Sequence, residues 1–592
     1  MAFWVLLGGV LLTFCPALQN GFVGDDFAVF VENNFYKNPA HLSRLVSPDF
    51  ITKFSDIDAA SQPGESSYSV CVAYRPVTAV SFFLSYFLWK ENSLGHHFEN
   101  IFLHFLVVWL VFGLLTRLSR DRTLGLLAAL LYATHPINAE VVNIVSYRSD
   151  LLAVIFYLSA FLLYVRCDEF LGWRRHVNLG FSCFCFALGL FAKENVVTLP
   201  LVIMFYDHVL NPAKHEKSFK KKSFVYLIYF LILGFYLYVY LVVFPNANAR
   251  EIFDVPFEPG QRLIASAGLL FQYWKMFLLP FTVTVLPPMY MPPAASLGIF
   301  ALLVLFSLLT VAVVFVARYA QKCPLVSFGI FWALVAYLPT ANLIPTPNPF
   351  SLRFLYLPML GWSLLLVIFL DKVAVFLKQS AFMPRAKGLI FSLLLGINIT
   401  NAFIVNTYYR SNLTACQEMV EKFPDSARPY MVLGVTYLNA GLFKEARMYF
   451  EKYLEVEPLN PAALSMHQRY YVHHMLGRCY LDLPERAIAH YQMALHLRPD
   501  YFMPYFDLAW IYLRQEKYQE ALECSLKILK ERKNLVAYAY IIESYVGLKQ
   551  WAEAEKFFAE AMENFPGNRF IPVYKGKIKS GLENSQSGKA ML

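Results

Sequence analysis

The chain has 592 residues, of which 57% are hydrophobic, 17% aromatic and only 16% charged. A mean hydropathy of +0.45 excludes both an ordinary soluble globular protein and a disordered one. The formal net charge of +9 does not indicate nucleic-acid binding, because clusters of Lys and Arg lie in short loops between apolar segments, as the positive-inside rule describes. We therefore predict a multi-pass membrane protein with no nucleic-acid partner.

Apolar segments follow one another from the first residues to position 406. A helix needs about 20 apolar residues to cross the hydrocarbon. About eleven segments are candidates, namely 3–19, 98–116, 123–135, 150–166, 177–192, 197–210, 223–244, 295–317, 324–341, 353–371 and 387–405. Two further stretches, near 77–89 and 263–283, begin and end on one side and are predicted to lie in the interface. An odd number of spans places the first loop, about 20–97, and everything after 406 on the outer or lumenal face.

Charged and polar residues are concentrated where this topology puts the outer ends of the spans. Charges at such positions are costly and by default functional. They are, in chain order, Asp25, Asp26, Glu32 to Asn34, Arg75, His96, His97, Glu99, Asn100, His104, His135, Glu140, Arg148, Asp150, Lys193, Glu194 and Arg353. Asp25 and Asp26 are adjacent, so their side chains point apart and at most one faces a given substrate atom. We assign one of the two as a general base and the other to orientation or acceptor binding.

Some of these polar residues also have a purely structural interpretation. Lys193 and Glu194 could form an ion pair at a helix end, and Asp150 could be an N-cap. Asn100 and His104 share a helix face and could simply bond to neighbouring helices. The pair formed by His135 and Glu140 resembles a metal site, but the spacing and the intervening proline do not suit a zinc-binding helix. No metal is predicted.

After residue 410 the apolar segments give way to amphipathic helix pairs. The positions Tyr430, Leu433, Gly434, Tyr437, Ala446, Phe450 and Pro458 follow the pattern of a tetratricopeptide repeat. The pattern occurs in about four units in total, in which Ala446, Ala487, Ala521 and Ala554 occupy the same position and are separated by 41, 34 and 33 residues. We predict a linking helix over 407–426, a repeat α-solenoid over 427–570 and a flexible tail over 571–592. Such arrays commonly bind an extended peptide, and scaffolding or dimerisation is the alternative.

An outer-facing acid at a lipid boundary suits attack by an acceptor hydroxyl on a sugar whose phosphate leaving group is tied to a lipid. The carboxylate takes the hydroxyl proton, and Arg and Lys neutralise the departing phosphate. The sequence has no Gly-rich phosphate loop of the P-loop or dinucleotide type, which argues against a pump driven by ATP and against a nucleotide-sugar transferase. No cofactor is predicted.

Four motifs followed by a repeat array occur in a specific order. They are Gly24-Asp25-Asp26, Tyr74-Arg75-Pro76, His135-Pro136-x-x-x-Glu140 with Arg148-x-Asp150-Leu151-Leu152, and Ala192-Lys193-Glu194. This order resembles the transmembrane and tetratricopeptide-repeat O-mannosyltransferases and their bacterial relatives. Those belong to the GT-C glycosyltransferases, whose membrane core resembles that of the protein O-mannosyltransferases and the lipid A aminoarabinose transferase. The resemblance spans nearly the whole chain and implies an all-α GT-C membrane domain over 1–406.

The resemblance implies an enzyme that transfers a sugar, mannose or another hexose, from a polyprenyl-phosphate donor to Ser or Thr hydroxyls of a protein acceptor held by the repeats. It implies that Asp25 or Asp26 is the base and that no metal is needed, and we assign Arg353 to the lipid phosphate. It implies donor or substrate binding for Arg75, His135, Glu140, Arg148, Lys193 and Glu194. The short array and the run from Lys193 to Asp207 look more like the bacterial relatives. We therefore predict a bacterial inner membrane with periplasmic repeats, the alternative being the endoplasmic reticulum with lumenal repeats.

Two other classes of function compete with this one. A non-enzymatic membrane scaffold for envelope or secretory assembly would use the repeats alone and would tolerate replacement of both aspartates. A transporter of a lipid-linked sugar would have broken or polar helices at mid-membrane in two related halves. The sequence shows no such internal symmetry, and its charges gather at one face.

Overall fold

The computed structural model describes residues 1–31, 35–46, 74–167, 169–211, 219–244, 259–285, 297–342, 350–376, 383–457, 469–531, 533–565 and 571–589. Within these ranges the chain is helical and contains no strand. It forms two compact units, the first ending at Lys422 and the second beginning at Phe423. Glu32 to Asn34, the repeat residue Pro458 and most of the first loop lie outside the described residues.

The first unit is a bundle of apolar helices, as expected of a multi-pass membrane protein. Its α-helices are Ala2–Phe14, Pro76–Trp89, Ser93–Ser119, Arg122–Thr134, Ala139–Asn143, Arg148–Cys167, Trp173–Ala192, Leu199–Phe205, Phe219–Tyr238, Pro259–Leu278, Leu297–Tyr319, Pro324–Tyr337, Met359–Phe376, Met383–Tyr408 and Asn412–Lys422. The predicted fold class, a membrane helix bundle followed by a tetratricopeptide solenoid, is confirmed.

Six helices in the described part are long and apolar enough to cross a membrane. They are Ala2–Gln19, Ser93–Ser119, Val145–Cys167, Trp173–Ala192, Lys222–Val243 and Gly388–Tyr408, the first, third and fifth including adjoining turns. Other predicted spans correspond to shorter helices, such as Arg122–Thr134 with 13 residues and Pro324–Tyr337 with 14. Helices of this length fall short of the hydrocarbon thickness by themselves. The number of about eleven spans therefore stays a prediction.

Short 3₁₀ turns flank several of these helices and carry polar residues. They are Pro136–Asn138, Val145–Tyr147, Glu194–Thr198 and Leu352–Leu355. Proline begins the first of them, and its fixed φ favours a new helical turn while it cannot donate to the preceding helix. The turns connect one helix to the next. Residues that are far apart in sequence come together at these helix ends.

The second unit is a stack of antiparallel helix pairs. Its helices are Ala427–Asn439, Phe443–Val456, Arg469–Cys479, Pro484–Leu497, Met503–Arg514, Tyr518–Glu531, Leu535–Gly547, Trp551–Asn564 and Lys575–Lys589. The four alanines at the repeated position are fully buried. Small residues at this position let the two helices of a pair approach closely, which explains the sequence pattern.

The prediction of a flexible tail after residue 571 is wrong for the part that the structure describes. Residues Ile571–Tyr574 form a 3₁₀ turn, and a helix follows over Lys575–Lys589. Ile571 and Ile578 are buried against Tyr538 and Ile542 of the fourth repeat. The helix caps the apolar end of the array, since a terminal repeat needs such a cover.

Gly434 offers a test of the close helix approach in the first repeat. A Cβ atom at this position would lie 2.5 Å from Cε1 of the buried Phe450 ring on the paired helix. We expect Gly434→Ala to destabilise the repeat unit by about 1–3 kcal/mol, because the ring has to move out of a packed core. The check is the thermal midpoint and protease resistance of the detergent-solubilised full chain. Gly576→Ala is the matched control, since no heavy atom lies within 4 Å of its Cβ position; an equal loss in both variants would contradict the packing argument.

Candidate functional site

The two adjacent acids of the first loop have opposite environments. Asp26 is fully buried, whereas Asp25 is exposed. One oxygen of Asp26 accepts the backbone N–H groups of Val23 at 3.2 Å and Val145 at 3.1 Å, and the other accepts that of Ser146 at 2.7 Å. Burial raises the pKa of Asp26 to about 6, and these N–H groups oppose the rise. Asp26 therefore ties the first loop to the turn that precedes the helix at Arg148.

Asp25 is the acid that a substrate can reach. The preceding Gly24 has φ +61°, a left-handed conformation that turns the chain between the buried Val23 and Asp25. The Asp25 carboxylate makes no hydrogen bond or ion pair with any residue that the structure describes. Its charge interacts with that of Arg353 across the site. An exposed carboxylate held near a cation is suited to accept a proton from a bound hydroxyl.

Arg353 lies in the 3₁₀ turn Leu352–Leu355, and Glu140 fixes that turn. The buried Glu140 carboxylate accepts the Ser351 hydroxyl at 2.7 Å and the backbone N–H of Arg353 at 3.0 Å. The Arg353 guanidinium carbon lies 3.7 Å from the centroid of the Tyr147 ring. Its Nε atom is buried and has no hydrogen-bond partner among the described residues. The guanidinium thus lies over an aromatic ring and keeps an N–H donor for an anion.

Two ion pairs lie beside this group. Arg75 donates to Glu194 from Nη2 at 2.7 Å and from Nε at 3.1 Å, and both side chains are partly exposed. The Lys193 ammonium lies 2.6 Å from both oxygens of Asp150, and this pair is buried. Lys193 and Glu194 are therefore not paired with each other, and Asp150 acts as an ion-pair partner where an N-cap was considered. Burial would raise the pKa of Glu194, but the charges of Arg75 and Lys193 outweigh it and lower the pKa to about 2.

Arg148 and His135, two of the predicted substrate-binding residues, have partners inside the protein. Arg148 is 1% exposed; it donates from Nε to Asn100 at 3.1 Å, pairs with Glu99 at 2.9 Å and also donates to Ser85. His135 Nδ1 accepts the Ile137 N–H, and Nε2 donates to the Phe277 carbonyl at 3.1 Å. These contacts use both His135 nitrogens and much of the Arg148 guanidinium, which favours a structural role for each residue. Substrate binding by Arg148 and His135 stays a prediction.

The structural interpretation of Asn100 and His104 agrees with the observed contacts. The Asn100 amide donates weakly to the carbonyls of Val142 and Ile144 at 3.3 and 3.4 Å. His104 contacts the Tyr356 hydroxyl at 2.7 Å and the Ala133 carbonyl at 3.1 Å. Both side chains connect helices of the bundle. Among the described residues no group of three or more His, Cys, Asp or Glu side chains could hold a metal ion.

Seven of the predicted residues and partners are linked electrostatically into one cluster. The members are Asp25, Arg75, Glu140, Asp150, Lys193, Glu194 and Arg353. The charge of Arg353 interacts with those of Asp25, Glu140 and Asp150, and that of Lys193 with Arg353 and Arg75. Arg75 and Lys193 each have a carboxylate in direct contact, whereas the Arg353 guanidinium stacks on a ring. Arg353 is thus the cation of the cluster best placed to receive an added anion.

Tyr147 and Ser351 are site residues that the sequence did not single out. Tyr147 supports the Arg353 guanidinium, and Ser351 donates to Glu140. The signal in the sequence was their closeness to charged residues, since Tyr147 directly precedes Arg148 and Ser351 lies two residues before Arg353. Tyrosine and serine are common near charged residues, so the sequence alone does not identify these two as site residues. Their role becomes visible only when the turns that carry them are seen to be in contact.

Comparisons with known proteins match both parts of the chain. Two tetratricopeptide-repeat family models match residues 427–458 and 490–523. Protein O-mannosyl-transferase TMTC3 of Homo sapiens is 24% identical over 672 residues, covering 99% of this chain and 70% of that protein. Protein O-mannosyl-transferase F38B6.6 of Caenorhabditis elegans is 23% identical, covering 77% and 62%. Protein O-mannosyl-transferase Tmtc1 of Drosophila melanogaster is 31% identical, covering 34% and 22%.

The chain spans between about half and 70% of the length of the relatives that it matches over most of its own length. Among solved structures, the archaeal oligosaccharyltransferase AglB from Archaeoglobus fulgidus aligns with a TM-score of 0.41 and 13% identity, covering 69% of this chain and 56% of that one.

Proposed function

We propose that this chain, which is related in sequence to the transmembrane and tetratricopeptide-repeat O-mannosyltransferases, is a membrane glycosyltransferase that modifies proteins. The donor is a polyprenyl-phosphate sugar, and the acceptor is a Ser or Thr hydroxyl of a protein bound by the repeats. The observation that carries the proposal is an exposed carboxylate, Asp25, whose charge interacts with that of Arg353, a cation whose buried Nε–H donor has no hydrogen-bond partner among the described residues. Similarity to a protein O-mannosyl-transferase over 99% of this chain and 70% of that protein supports it.

Asp25 is the proposed general base. Its carboxylate takes the proton of the acceptor hydroxyl while the hydroxyl oxygen attacks the anomeric carbon of the sugar. The bond between that carbon and the phosphate oxygen breaks, and the lipid phosphate leaves with the electron pair. The products are an O-glycosylated protein and a polyprenyl phosphate, and the protonated Asp25 returns its proton to water. Each atom and proton is accounted for without a further reactant.

Arg353 is the proposed ligand of the lipid phosphate. Negative charge builds up on the phosphate oxygens as the bond to the sugar breaks, and a fixed guanidinium stabilises it without having to reorganise. Glu140 orients the turn through the Arg353 backbone and the Ser351 hydroxyl, so the side chain stays available. Arg75 with Glu194, being partly exposed, is the proposed contact for the sugar or acceptor. Lys193, which is paired with Asp150, contributes through its charge interaction with Arg353 and Arg75.

Asp26 is proposed to orient the loop that carries the base. Removing its side chain in Asp26→Ala leaves three backbone N–H groups without an acceptor, two of them in the turn before Arg148. A buried unpaired N–H costs about 1–3 kcal/mol. We therefore expect less folded protein in the membrane and a lower thermal midpoint, whereas Asp25→Ala leaves both unchanged. Immunoblots of membranes and thermal unfolding in detergent measure this; equal stability of the two variants would contradict the structural role of Asp26.

The compartment that we propose is the endoplasmic reticulum with the repeats on the lumenal side. The relatives described above come from animals, which favours this alternative over the bacterial inner membrane that the sequence suggested. The donor is then a dolichyl-phosphate sugar, with mannose the first to test. Protease protection of the repeats in sealed microsomes, abolished by detergent, is the expected result; cleavage in intact vesicles would place the repeats on the cytoplasmic side.

The test of the proposed function is sugar transfer in membranes that contain the full chain. Radiolabelled dolichyl-phosphate mannose is added together with co-expressed secretory proteins, and label released from protein by β-elimination reports O-linked sugar. Transfer above the level of membranes without the chain is expected. Absence of transfer from mannose and every other hexose donor, with co-purification of partners by the repeats intact, would favour the scaffold.

A further inference from the structure

The segment that follows the last membrane helix grips the loop that carries Asp25. The backbone N–H of Gly21 donates to the Arg410 carbonyl at 3.1 Å. Three residues later the N–H of Gly24 donates to the side-chain oxygen of Asn412 at 2.7 Å. These two hydrogen bonds fix both ends of the stretch from Gly21 to Gly24 against one short piece of chain, almost four hundred residues away in sequence.

Three buried asparagines, Asn20, Asn143 and Asn406, form a hydrogen-bonded cluster at the start of this loop. Asn20 donates to the Asn143 side chain at 2.6 Å and to the Asn406 carbonyl at 2.8 Å. Asn143 in turn donates to Asn406, which donates to the Thr13 carbonyl at 2.8 Å. All three side chains are buried, with at most 3% exposed. The start of the loop is thereby fixed by groups whose loss would disturb the whole bundle.

Asn412 differs from these three asparagines, because it accepts a hydrogen bond from Gly24, the residue directly before Asp25. Gly24 has a left-handed φ of +61°, and no heavy atom of the described residues beyond its chain neighbours lies within 4 Å of its Cβ position. Within the described part of the chain, the turn is therefore not confined by packing, and the hydrogen bond to Asn412 sets where the next residue points. On the other side of Asp25, the bonds of Asp26 hold the chain. The backbone is consequently fixed on both sides of Asp25, by the Asn412 hydrogen bond before it and by the Asp26 hydrogen bonds after it.

We propose that Asn412 is a positioning residue that sets the direction of the Asp25 carboxylate, an inference that rests on the proposed function. Asn412 is the first residue of the helix Asn412–Lys422, so its backbone is fixed by the helix while its side-chain oxygen reaches the loop. A misplacement of about 1 Å in a reacting group can lower a rate about a hundredfold. Asn412 acts through Asp25 and touches no reacting atom.

The sequence Asn412-Leu413-Thr414 is also an N-glycosylation sequon, and a glycan is the competing explanation for any effect at this position. A glycan would be attached to the side-chain nitrogen, whereas the contact to Gly24 uses the oxygen. Asn412→Asp keeps an oxygen acceptor and destroys the sequon, and Asn412→Ala removes both. The two variants therefore separate the hydrogen bond from the modification.

The experiment measures sugar transfer by the full chain in membranes, with Gln417→Ala, an exposed residue of the same helix, as the control. Asn412→Ala is expected to lower kcat about tenfold or more with little change in the KM for the donor and no loss of abundance. Asn412→Asp and Gln417→Ala are expected to keep most of the wild-type kcat. Wild-type kcat in Asn412→Ala overturns the proposal, and so does equal loss in Asn412→Ala and Asn412→Asp, which assigns the effect to a glycan.

Hydrogen exchange separates a failure of this proposal from a failure of the proposed function. In the solubilised full chain, peptides covering Gly24 to Phe27 are expected to exchange faster in Asn412→Ala than in the wild type, and peptides of the bundle core are expected to be unchanged. If no donor supports transfer by the wild type, this result still tests the grip on the loop. Unchanged exchange around Gly24 overturns the positioning role, even if transfer is observed.

Discussion

Replacing Asp25 by Asn is expected to lower the rate of sugar transfer about a thousandfold while leaving the protein folded. The amide has the shape of the carboxylate but cannot take a proton from the acceptor hydroxyl, and general base catalysis contributes about 10²–10⁴ in rate. Asp25 is exposed and makes no hydrogen bond to a described residue, so no folded contact is lost. The KM for the donor should change little, because the lipid phosphate is held elsewhere. The measurement is initial-rate transfer at matched abundance.

Asp425→Asn is the matched control for this variant. It makes the same chemical change at an exposed acid of a turn outside the charged cluster. We expect wild-type transfer by the control and almost none by Asp25→Asn. Substantial transfer by Asp25→Asn would show that the base lies elsewhere, and transfer lost equally in both variants would point to a general effect of charge.

The second large effect is expected for Arg353→Met, which removes the guanidinium and keeps an unbranched side chain. Losing one fixed donor to developing negative charge costs about 10²–10³ in rate. We expect kcat/KM for the donor to fall by about this factor, with normal abundance, because the bonds to Glu140 involve the Arg353 backbone and Ser351. Arg353→Lys should recover part of the loss, since an ammonium keeps the charge but not the planar fork over Tyr147.

Arg174→Met is the control for Arg353→Met, because Arg174 also lies near an aromatic ring, that of Trp173, at the exposed start of a helix. Transfer by this control should equal that of the wild type. Transfer by Arg353→Met at the wild-type level would remove Arg353 from the phosphate site. A lower kcat/KM for the acceptor together with an unchanged kcat/KM for the donor would indicate a role in acceptor binding instead.

The helical architecture could be predicted because its signals are local. Apolar length marks membrane helices, and the aromatic and small residues of each repeat recur at a fixed spacing, so Gly434 and Phe450 could be matched before their contact was seen. The helix that begins at Lys575 could not be predicted in this way. Its few apolar residues, such as Ile578, form no strong pattern and gain meaning only from the uncovered end of the array against which they pack.

The candidate site was predictable in its composition but not in its pairing. The location of charges near span ends indicated Asp25, Glu194 and Arg353. Which acid meets which base depends on how helices 40 to 120 residues apart are arranged, as for Lys193 with Asp150 and Arg75 with Glu194.

Adjacency showed that Asp25 and Asp26 point apart, but only the position of the Val145 and Ser146 amides decides which one is buried. Arg148 and His135 were assigned to substrate for a related reason. A boundary charge is functional by default, and only the folded arrangement shows that Arg148 pairs with Glu99, another outer-face charge, and that His135 bonds to the Phe277 carbonyl.

The most direct test of the account is a single-turnover reaction with the purified full chain in liposomes that contain radiolabelled dolichyl-phosphate mannose and an acceptor protein. The wild type is predicted to release one dolichyl phosphate for each mannose that becomes O-linked to Ser or Thr, and Asp25→Asn at equal abundance is predicted to form neither product. Release of dolichyl phosphate without protein-linked mannose would contradict the assignment of a protein acceptor, and equal product from wild type and variant would contradict Asp25 as the base.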